Sequence, residues 1–218
     1  MHPNPVFHDR TDEENLGFAR ARGFGILSVN GGQGPLAAHV PFVLDPQGKE
    51  VLLHLVRSNP IMGLLDQTVP ALLVVSGPDG YVSPDWYGAP DQVPTWNYVA
   101  VHLRGALEAL PRERLDAVLD TLSEDFETRL APKAPWRAAK MDSGARERMM
   151  RAIAPVRLAV EEVAGTWKLS QNKPEPARAG AAEAIGDGVG QELAALSALM
   201  RQPAPEQAAK VDRAAHPT

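Results

Sequence analysis

The stretch VPTWNYVAVHLRG, from Val93 to Gly105, predicts a long β-strand because Val, Thr and aromatic residues dominate it. Successive side chains of a strand point to opposite faces. One face would carry a mostly apolar, core-like set: Val93, Thr95, Asn97, Val99, Val101 and Leu103. The opposite face would carry Trp96, Tyr98, Ala100, His102 and Arg104. This second face is too aromatic for open water and too polar for a dry core, so something must cover it.

Several further strands precede this one and one follows it. FGILSVN and PLAAHVPFVL, joined by a Gly-rich turn, predict a hairpin, and VLLHLV and VPALLVVSGP predict two more strands. The segment from Val156 to Asn172 returns to a strand pattern and ends in a polar loop. Short strands with turn signals between them favour an antiparallel barrel or sandwich over an array of β-α-β units. The chain is therefore predicted to be mainly β with helices, an α+β protein.

Three helices are expected around these strands, besides a short one after Pro60. Thr11 and Glu14 have the spacing of a capping box, so a helix should run to about Arg22 and end at Gly23. RERLDAVLDTLSEDFETRL and DSGARERMMRAIA predict two more helices, which form an insertion at about 111–154. In the first of these two, a typical packed surface helix is expected, with one apolar stripe: Leu115, Val118, Leu119, Leu122 and Phe126.

The composition changes after Lys173, where Ala, Pro, Gly and Glu dominate. We expect a main domain over 1–175 and an Ala/Pro-rich extension over 176–218, with a short helix at about 189–201 and disorder after it. The extension is expected to be removable without loss of the fold.

Length and charge restrict the class of protein. The chain has 218 residues, a net charge of −5 and no cysteine. The absence of cysteine excludes disulfides, thiol nucleophiles and Cys-based metal sites. The acidic balance argues against a non-specific nucleic-acid binder. No apolar run reaches the roughly 20 residues that span a bilayer, and the first residues lack a signal-peptide pattern. We expect a cytoplasmic protein that does not contact a membrane.

Two loops combine a cation, a hydroxyl and an amide at the end of a strand. HLVRSNP offers Arg57, Ser58 and Asn59, and TWKLSQNK offers Lys168 with Ser170, Gln171 and Asn172. Such groups suit a phosphate, although an ordinary surface turn has the same composition. YVSPDWYG adds Tyr81, Ser83, Trp86 and Tyr87, which suit a planar ligand or a subunit contact. Together with the aromatic strand face, these loops favour an anionic, planar ligand.

Motifs for other chemistries are absent from the sequence. There is no P-loop, no dinucleotide fingerprint, no zinc-protease motif and no nucleophile elbow. Four histidines lie in or near the β-rich part, but their spacing does not form a metal site, so structural roles are expected for them: His8, His39, His54 and His102. No catalytic residue is assigned.

Five segments together resemble the PaiB family of FMN-binding negative transcriptional regulators. They are AAHVPFVL, HLVRSNP, YVSPDWY, VPTWNYVAVHLRG and WKLSQNK, which occur in the order of that family over roughly residues 1–175. The resemblance implies an antiparallel flavin-binding split β-barrel, related to pyridoxamine-phosphate oxidase, that forms a homodimer with FMN at the interface. The polar and aromatic face of Val93–Gly105 would then line this interface.

The resemblance also suggests where FMN would be held. Arg57, Ser58 and Asn59 would hold the phosphate, with Ser170, Gln171 and Asn172 as further donors. Trp96, Asn97 and Tyr98 would contact the flavin ring or ribityl chain, although Trp96 and Trp86 are equally compatible with dimer packing alone. The expected pocket rim comprises His39, His102, Tyr81 and Ser83.

Two functions remain open at this point. The family name implies transcriptional repression, but no helix-turn-helix with a basic recognition helix is present, so direct DNA binding has no support from charge or motif. The alternative is an FMN-dependent oxidoreductase that acts on a small molecule, haem-related ones included. A flavin-binding sensor without turnover is a third interpretation.

Overall fold

The computed structural model describes residues 1–202, and the expected disorder after the last helix concerns 203–218, outside the described residues. Five α-helices and seven strands follow one another along this part of the chain. In chain order they are α1 Asp12–Arg22, β1 Phe24–Gly31, β2 Gly34–Leu44, β3 Glu50–Val56, β4 Val69–Val82, β5 Thr95–Ala109, α2 Leu115–Thr128, α3 Ser143–Arg151, β6 Ile153–Lys168, α4 Glu175–Ala184, β7 Gly190–Gln191 and α5 Leu193–Met200.

The first helix begins and ends as the sequence predicts. The backbone N–H of Thr11 donates to Glu14 Oε2 at 2.8 Å, and the N–H of Glu14 donates to Thr11 Oγ1 at 3.2 Å. These two bonds form the expected capping box. Gly23 then adopts a left-handed backbone at φ +59, which ends the helix and leads directly into β1.

All seven strands belong to one sheet in the order β1-β2-β3-β6-β5-β4-β7, and β1 also pairs with β4. The β1–β2 hairpin is antiparallel with Gly31 opposite Gly34, and the β1–β4 pair is antiparallel as well. This additional pairing joins the first strand back to the far side of the sheet, as closure of a barrel requires. The antiparallel sheet with helices confirms the predicted α+β class.

The chain divides into two compact units. Unit 1 contains 1–15, 76–101 and the chain from Ala164 onward, and unit 2 contains 16–75 and 102–163. The core of unit 2 is built from inward-facing strand residues that are almost fully buried, such as Leu27, Phe42, Leu53 and Leu158. Helix α2 packs on β2 and β3, and it buries Leu115, Val118 and Leu122 of the predicted stripe.

The C-terminal helices form part of the core of unit 1. Helix α5 corresponds to the short helix expected at 189–201. Ile185, Leu196 and Met200 are all fully buried, and a Cβ on Gly80 would lie 3.0 Å from a methyl of Leu196. This burial argues against the expectation that the extension can be removed without loss of the fold.

Candidate functional site

Strand β5 has the two faces that its sequence predicts. From Asn97 to Leu103 the inward residues are buried, whereas the outward residues from Trp96 to Arg104 are exposed or half-buried. Trp96 is 45 % exposed although it is a large apolar side chain. One detail differs from the expectation: Val93 is 72 % exposed, because the strand begins only at Thr95. The polar and aromatic face is therefore open along β5.

The Arg57 loop, defined as Arg57–Asn59, follows β3 in unit 2. The Nε of Arg57 donates to the carbonyl oxygen of Arg151 at 3.1 Å. The backbone N–H of Arg57 donates to the carbonyl oxygen of Ala152 at 2.8 Å. Asn59 Oδ1 accepts a hydrogen bond from the N–H of Ile61 at 2.9 Å and so caps the short turn Pro60–Leu64. Arg57 and Ser58 are exposed. The two terminal nitrogens of Arg57 thus remain outward, on a side chain whose stem is fixed.

The Lys168 loop, defined as Lys168–Lys173, follows β6 in unit 1 and turns its hydroxyl inward. Ser170 is only 3 % exposed and has a left-handed backbone at φ +60. Its Oγ accepts a hydrogen bond from Asn97 Nδ2 at 2.8 Å and lies 2.9 Å from the hydroxyl of Tyr87. Burial raises the pKa of Tyr87. Ser170 is therefore the centre of a buried polar cluster.

The side chain of Gln171 is also hydrogen-bonded within the protein. Its Nε2 donates to the carbonyl oxygens of Trp167 at 2.6 Å and Val6 at 3.2 Å, and its Oε1 accepts from the N–H of Leu169 at 2.8 Å. Asn172 is the exposed member of the three. Of the donors that the sequence proposed for this loop, Asn172 is the one directed outward.

Asn97 lies on the inward face of β5 and is fully buried. Besides its bond to Ser170, its Nδ2 donates to Met200 Sδ at 3.4 Å, so the last helix covers it. Its Oδ1 has no hydrogen-bond partner among the described residues. Trp96 and Tyr98 flank Asn97 on the opposite, outward face. Of the three β5 residues, Trp96 and Tyr98 are thus the two that this arrangement leaves available to a ligand.

The four expected rim residues are divided between the units. Tyr81 and Ser83 are half-buried in unit 1, next to the turn Pro84–Tyr87. His39 and His102 belong to unit 2, where His39 is exposed on β2 and its ring lies 6.3 Å from that of Phe24. Burial lowers the pKa of His102, and its Nδ1 has no partner among the described residues.

Two features of unit 1 were not predicted. The aromatic turn that contains Trp86 packs on the C-terminal segment, since a Cβ on Gly188 would lie 3.1 Å from the Trp86 ring. The two lysines that bound the Lys168 loop lie over aromatic rings of unit 1, with Lys173 Nζ 5.4 Å from the centroid of Tyr87 and Lys168 Nζ 5.9 Å from that of Phe7. Their presence at both ends of LSQN was the available signal for the second feature, whereas the first depends on a long-range contact that no local pattern reveals.

Among residues 1–202, no helix is long and apolar enough to cross a membrane. Within the same residues, no group of three His, Asp or Glu side chains is placed to hold a metal ion.

Comparison with known proteins gives a family match over most of the chain. A family model described as "Putative FMN-binding domain" matches residues 1–162. The curated Bacillus subtilis protein "Protease synthase and sporulation protein PAI 2" is 28% identical over 165 residues, which cover 75% of this chain and 78% of that protein. An uncharacterized protein of Saccharomyces cerevisiae is 32% identical over 97 residues, which cover 41% of this chain and 57% of that protein.

Solved structures give the same fold. The FAD and heme binding protein of Mycobacterium smegmatis superposes with a TM-score of 0.54 at 17% identity, covering 72% of this chain and 71% of that one. A conserved hypothetical protein of Mycobacterium tuberculosis superposes with a TM-score of 0.51 at 15% identity, covering 76% and 89%. These superpositions confirm the predicted split β-barrel fold, and the family model and the Bacillus relative confirm the resemblance to PaiB.

Proposed function

The chain belongs to the FMN-binding domain family, and on this basis we propose that it binds FMN as a homodimer, with the outward face of β5 against the flavin. The observation that carries the proposal is the match of residues 1–162 to the family model. The open aromatic face of β5 supports it, because a planar ligand or a second protein surface is what such a face accommodates.

The residues present fit a flavin mononucleotide. Trp96 and Tyr98 offer aromatic surface for a ring system, and Trp96 is 45 % exposed. Arg57 offers two outward guanidinium nitrogens on a stem fixed by the carbonyl of Arg151, which suits the phosphate. Ser58, Asn59 and Asn172 complete the proposed donors. Asn97, Ser170 and Gln171 are left as supports of the fold, since Asn97 Nδ2, Ser170 Oγ and Gln171 Nε2 are all hydrogen-bonded inside unit 1.

A second copy of this chain is the proposed cover of the β5 face. Isolated exposed apolar residues are common, but an aromatic and half-buried row along one strand is typical of an interface. In this arrangement Trp96 packs against the partner, the flavin or both. The proposed pocket rim comprises His39, His102, Tyr81 and Ser83.

A bound flavin supplies electron-transfer chemistry that no side chain has. The role of the chain is then to bind the cofactor, orient it and exclude water from it. If the protein turns over a substrate, we therefore propose that it is a flavin-dependent oxidoreductase that acts on a small molecule. The fold shared with the mycobacterial FAD and heme binding protein is compatible with that choice.

The regulatory role implied by the PaiB name has less support. In α3, the most basic helix, Arg146 is paired with Asp116 and Arg151 lies 4.0 Å from Glu147, so that two of its three arginines are next to a carboxylate of the described chain and Arg148 alone is not. A DNA-binding face needs cations that are free to contact phosphates. We therefore propose that any effect on transcription is indirect.

The test is a titration of the purified apo-protein with FMN, followed by quenching of flavin fluorescence and by absorbance. Stoichiometric binding is expected, with a dimer in sedimentation or light scattering. Absence of flavin binding would contradict the proposal. Consumption of NAD(P)H with several electron acceptors would identify the enzyme, whereas a gel shift that is specific for an operator over bulk DNA would favour the regulator.

A further inference from the structure

Two lysines of unit 1, Lys168 and Lys173, stand at the two ends of the Lys168 loop, and their ammonium groups are not paired with a carboxylate in the described part of the chain. Lys168 ends β6, and Lys173 precedes α4. Neither ammonium has a carboxylate oxygen within 4.0 Å among the described residues, Asp85 and Asp91 of the neighbouring turn included. Several other cations are paired with carboxylates, as Arg104 is with Glu162 and Arg129 with Asp125.

The partners of the two ammonium groups are neutral. Lys168 Nζ donates to the hydroxyl of Thr95, and Lys173 Nζ donates to Gln92 Oε1 at 2.7 Å. An ammonium group has three donors, so each lysine keeps donors for a ligand. Both also lie over aromatic rings, with Lys168 Nζ 5.9 Å from the centroid of Phe7 and Lys173 Nζ 5.4 Å from that of Tyr87.

This arrangement is unfavourable in the absence of an anion. Partial burial lowers the pKa of Lys168, and the positive charge of Lys173 lowers it further. Lys168 also contributes to lowering the pKa of His2, for which burial is the larger cause. Like charges that are held together and partly desolvated cost stability. A dianion between them would remove that cost.

We propose that Lys168 and Lys173 form a binding site for a phosphate ester. A phosphate monoester carries close to two negative charges at neutral pH, which matches the two ammonium groups. Its oxygens would accept the free ammonium donors, and Asn172 between the two lysines adds an exposed amide. The phosphate belongs either to FMN or to a second phosphorylated ligand. The proposal goes beyond FMN binding, because the two lysines would bind a phosphate ester whether it belongs to FMN or to a second ligand.

The test compares the full-length wild type with the double variant Lys168→Met and Lys173→Met, titrated calorimetrically with inorganic phosphate. Methionine keeps an unbranched apolar stem of similar length and removes the charge. We expect the dissociation constant for phosphate to rise at least tenfold, while the midpoint of thermal unfolding stays the same or rises because the repulsion is gone. Lys49→Met, at an exposed lysine of unit 2, is the matched control and should bind phosphate like the wild type.

A comparison of FMN with riboflavin identifies the source of the phosphate. If the double variant loses affinity for FMN but not for riboflavin, the site holds the flavin phosphate. If it binds both flavins like the wild type but loses inorganic phosphate, the site holds a second ligand. Unchanged phosphate binding and unchanged FMN binding in the double variant would overturn the inference. A wild type that binds phosphate through these lysines but binds no flavin would refute the proposed function and leave this inference standing.

Discussion

The Arg57 loop and the Lys168 loop have the same kind of sequence and different structures. Both follow a strand, and both present a cation, a hydroxyl and an amide. In the Arg57 loop, Arg57 and Ser58 are exposed, and only Asn59 serves the local turn. In the Lys168 loop, Ser170 and Gln171 are hydrogen-bonded inside unit 1, the lysines at its ends are half-buried, and Asn172 is the exposed residue.

The difference comes from what packs behind each loop. Ser170 meets Asn97 and Tyr87, and the cluster is covered by Met200 from the last helix. No described residue buries Ser58 in this way. A polar side chain in a strand-end loop can thus donate to a ligand only if it is not already hydrogen-bonded within the protein. Residues that are distant in sequence decide whether it is.

The largest expected effect comes from removing the segment that covers the Lys168 loop. A chain that ends at Lys173 loses Ile185, Leu196 and Met200, all of which are fully buried. Burial of each such side chain contributes about 1.5–3 kcal/mol, which together approaches the whole stability of a small domain at about 5–15 kcal/mol. We expect this variant to be unfolded or to have a much lower midpoint in urea.

A chain that ends at Gln202 is the control for that experiment, because it keeps every residue that the structure describes. It should unfold at the midpoint of the full chain. Equal midpoints for both truncations would mean that the C-terminal helices do not stabilise unit 1, and the comparison of the two loops would lose its physical basis.

Replacement of each of the two serines by alanine tests the comparison of the two loops directly. Ser170→Ala leaves the buried groups of Asn97 and Tyr87 without their shared partner, which costs about 1–3 kcal/mol. Ser58→Ala changes an exposed hydroxyl and should alter stability by less than about 0.5 kcal/mol. Urea unfolding of both variants measures this difference, and similar losses at the two positions would show that the loops are equivalent after all.

Local patterns in the sequence predict much of this fold. The capping box of α1, the hairpin of β1 and β2, and the two faces of β5 all depend on spacings within a few residues, and all are confirmed. Motif resemblance over the chain adds the split barrel, which periodicity alone leaves undecided between barrel and sandwich.

Whether each candidate side chain is buried or exposed is harder to predict. The alternation of β5 places Asn97 inward, but its cover by Met200 comes from a contact over a hundred residues away in sequence. Similarly, composition marks the extension as an appendage, yet its alanines and leucines are spaced to pack in unit 1. Contacts at this separation are fixed by tertiary packing, which no local window contains.

The next effect in size concerns the outward cation of the Arg57 loop. Arg57→Ala should weaken FMN binding by more than the ~1 kcal/mol expected of an exposed charge, or more than about fivefold in dissociation constant. Stability should change little, because the side chain is exposed and makes one bond to a carbonyl. Arg148→Ala, at an exposed arginine of α3, is the matched control. An unchanged flavin affinity in Arg57→Ala would remove this loop from the proposed site.

The smallest expected effect is a pH dependence that originates in the strand before the Arg57 loop. His54 lies on β3 opposite Pro155, and its Nδ1 is buried without a partner among the described residues. Burial lowers the pKa of His54, so the folded protein keeps this ring neutral where the unfolded chain, with a pKa of about 6.5, takes up a proton. Stability from this group is therefore complete above pH ~6.5 and is lost as the pH falls through that value towards the folded pKa.

His54→Leu should make the decline of the unfolding free energy between about pH 7.5 and pH 5 shallower, as followed by urea unfolding at each pH. His39→Leu changes an exposed ring on β2 and is the control. His102, whose pKa burial also lowers, keeps part of the slope in His54→Leu, and the double variant should flatten it further. An identical slope in wild type and double variant would mean that both rings are solvated in solution.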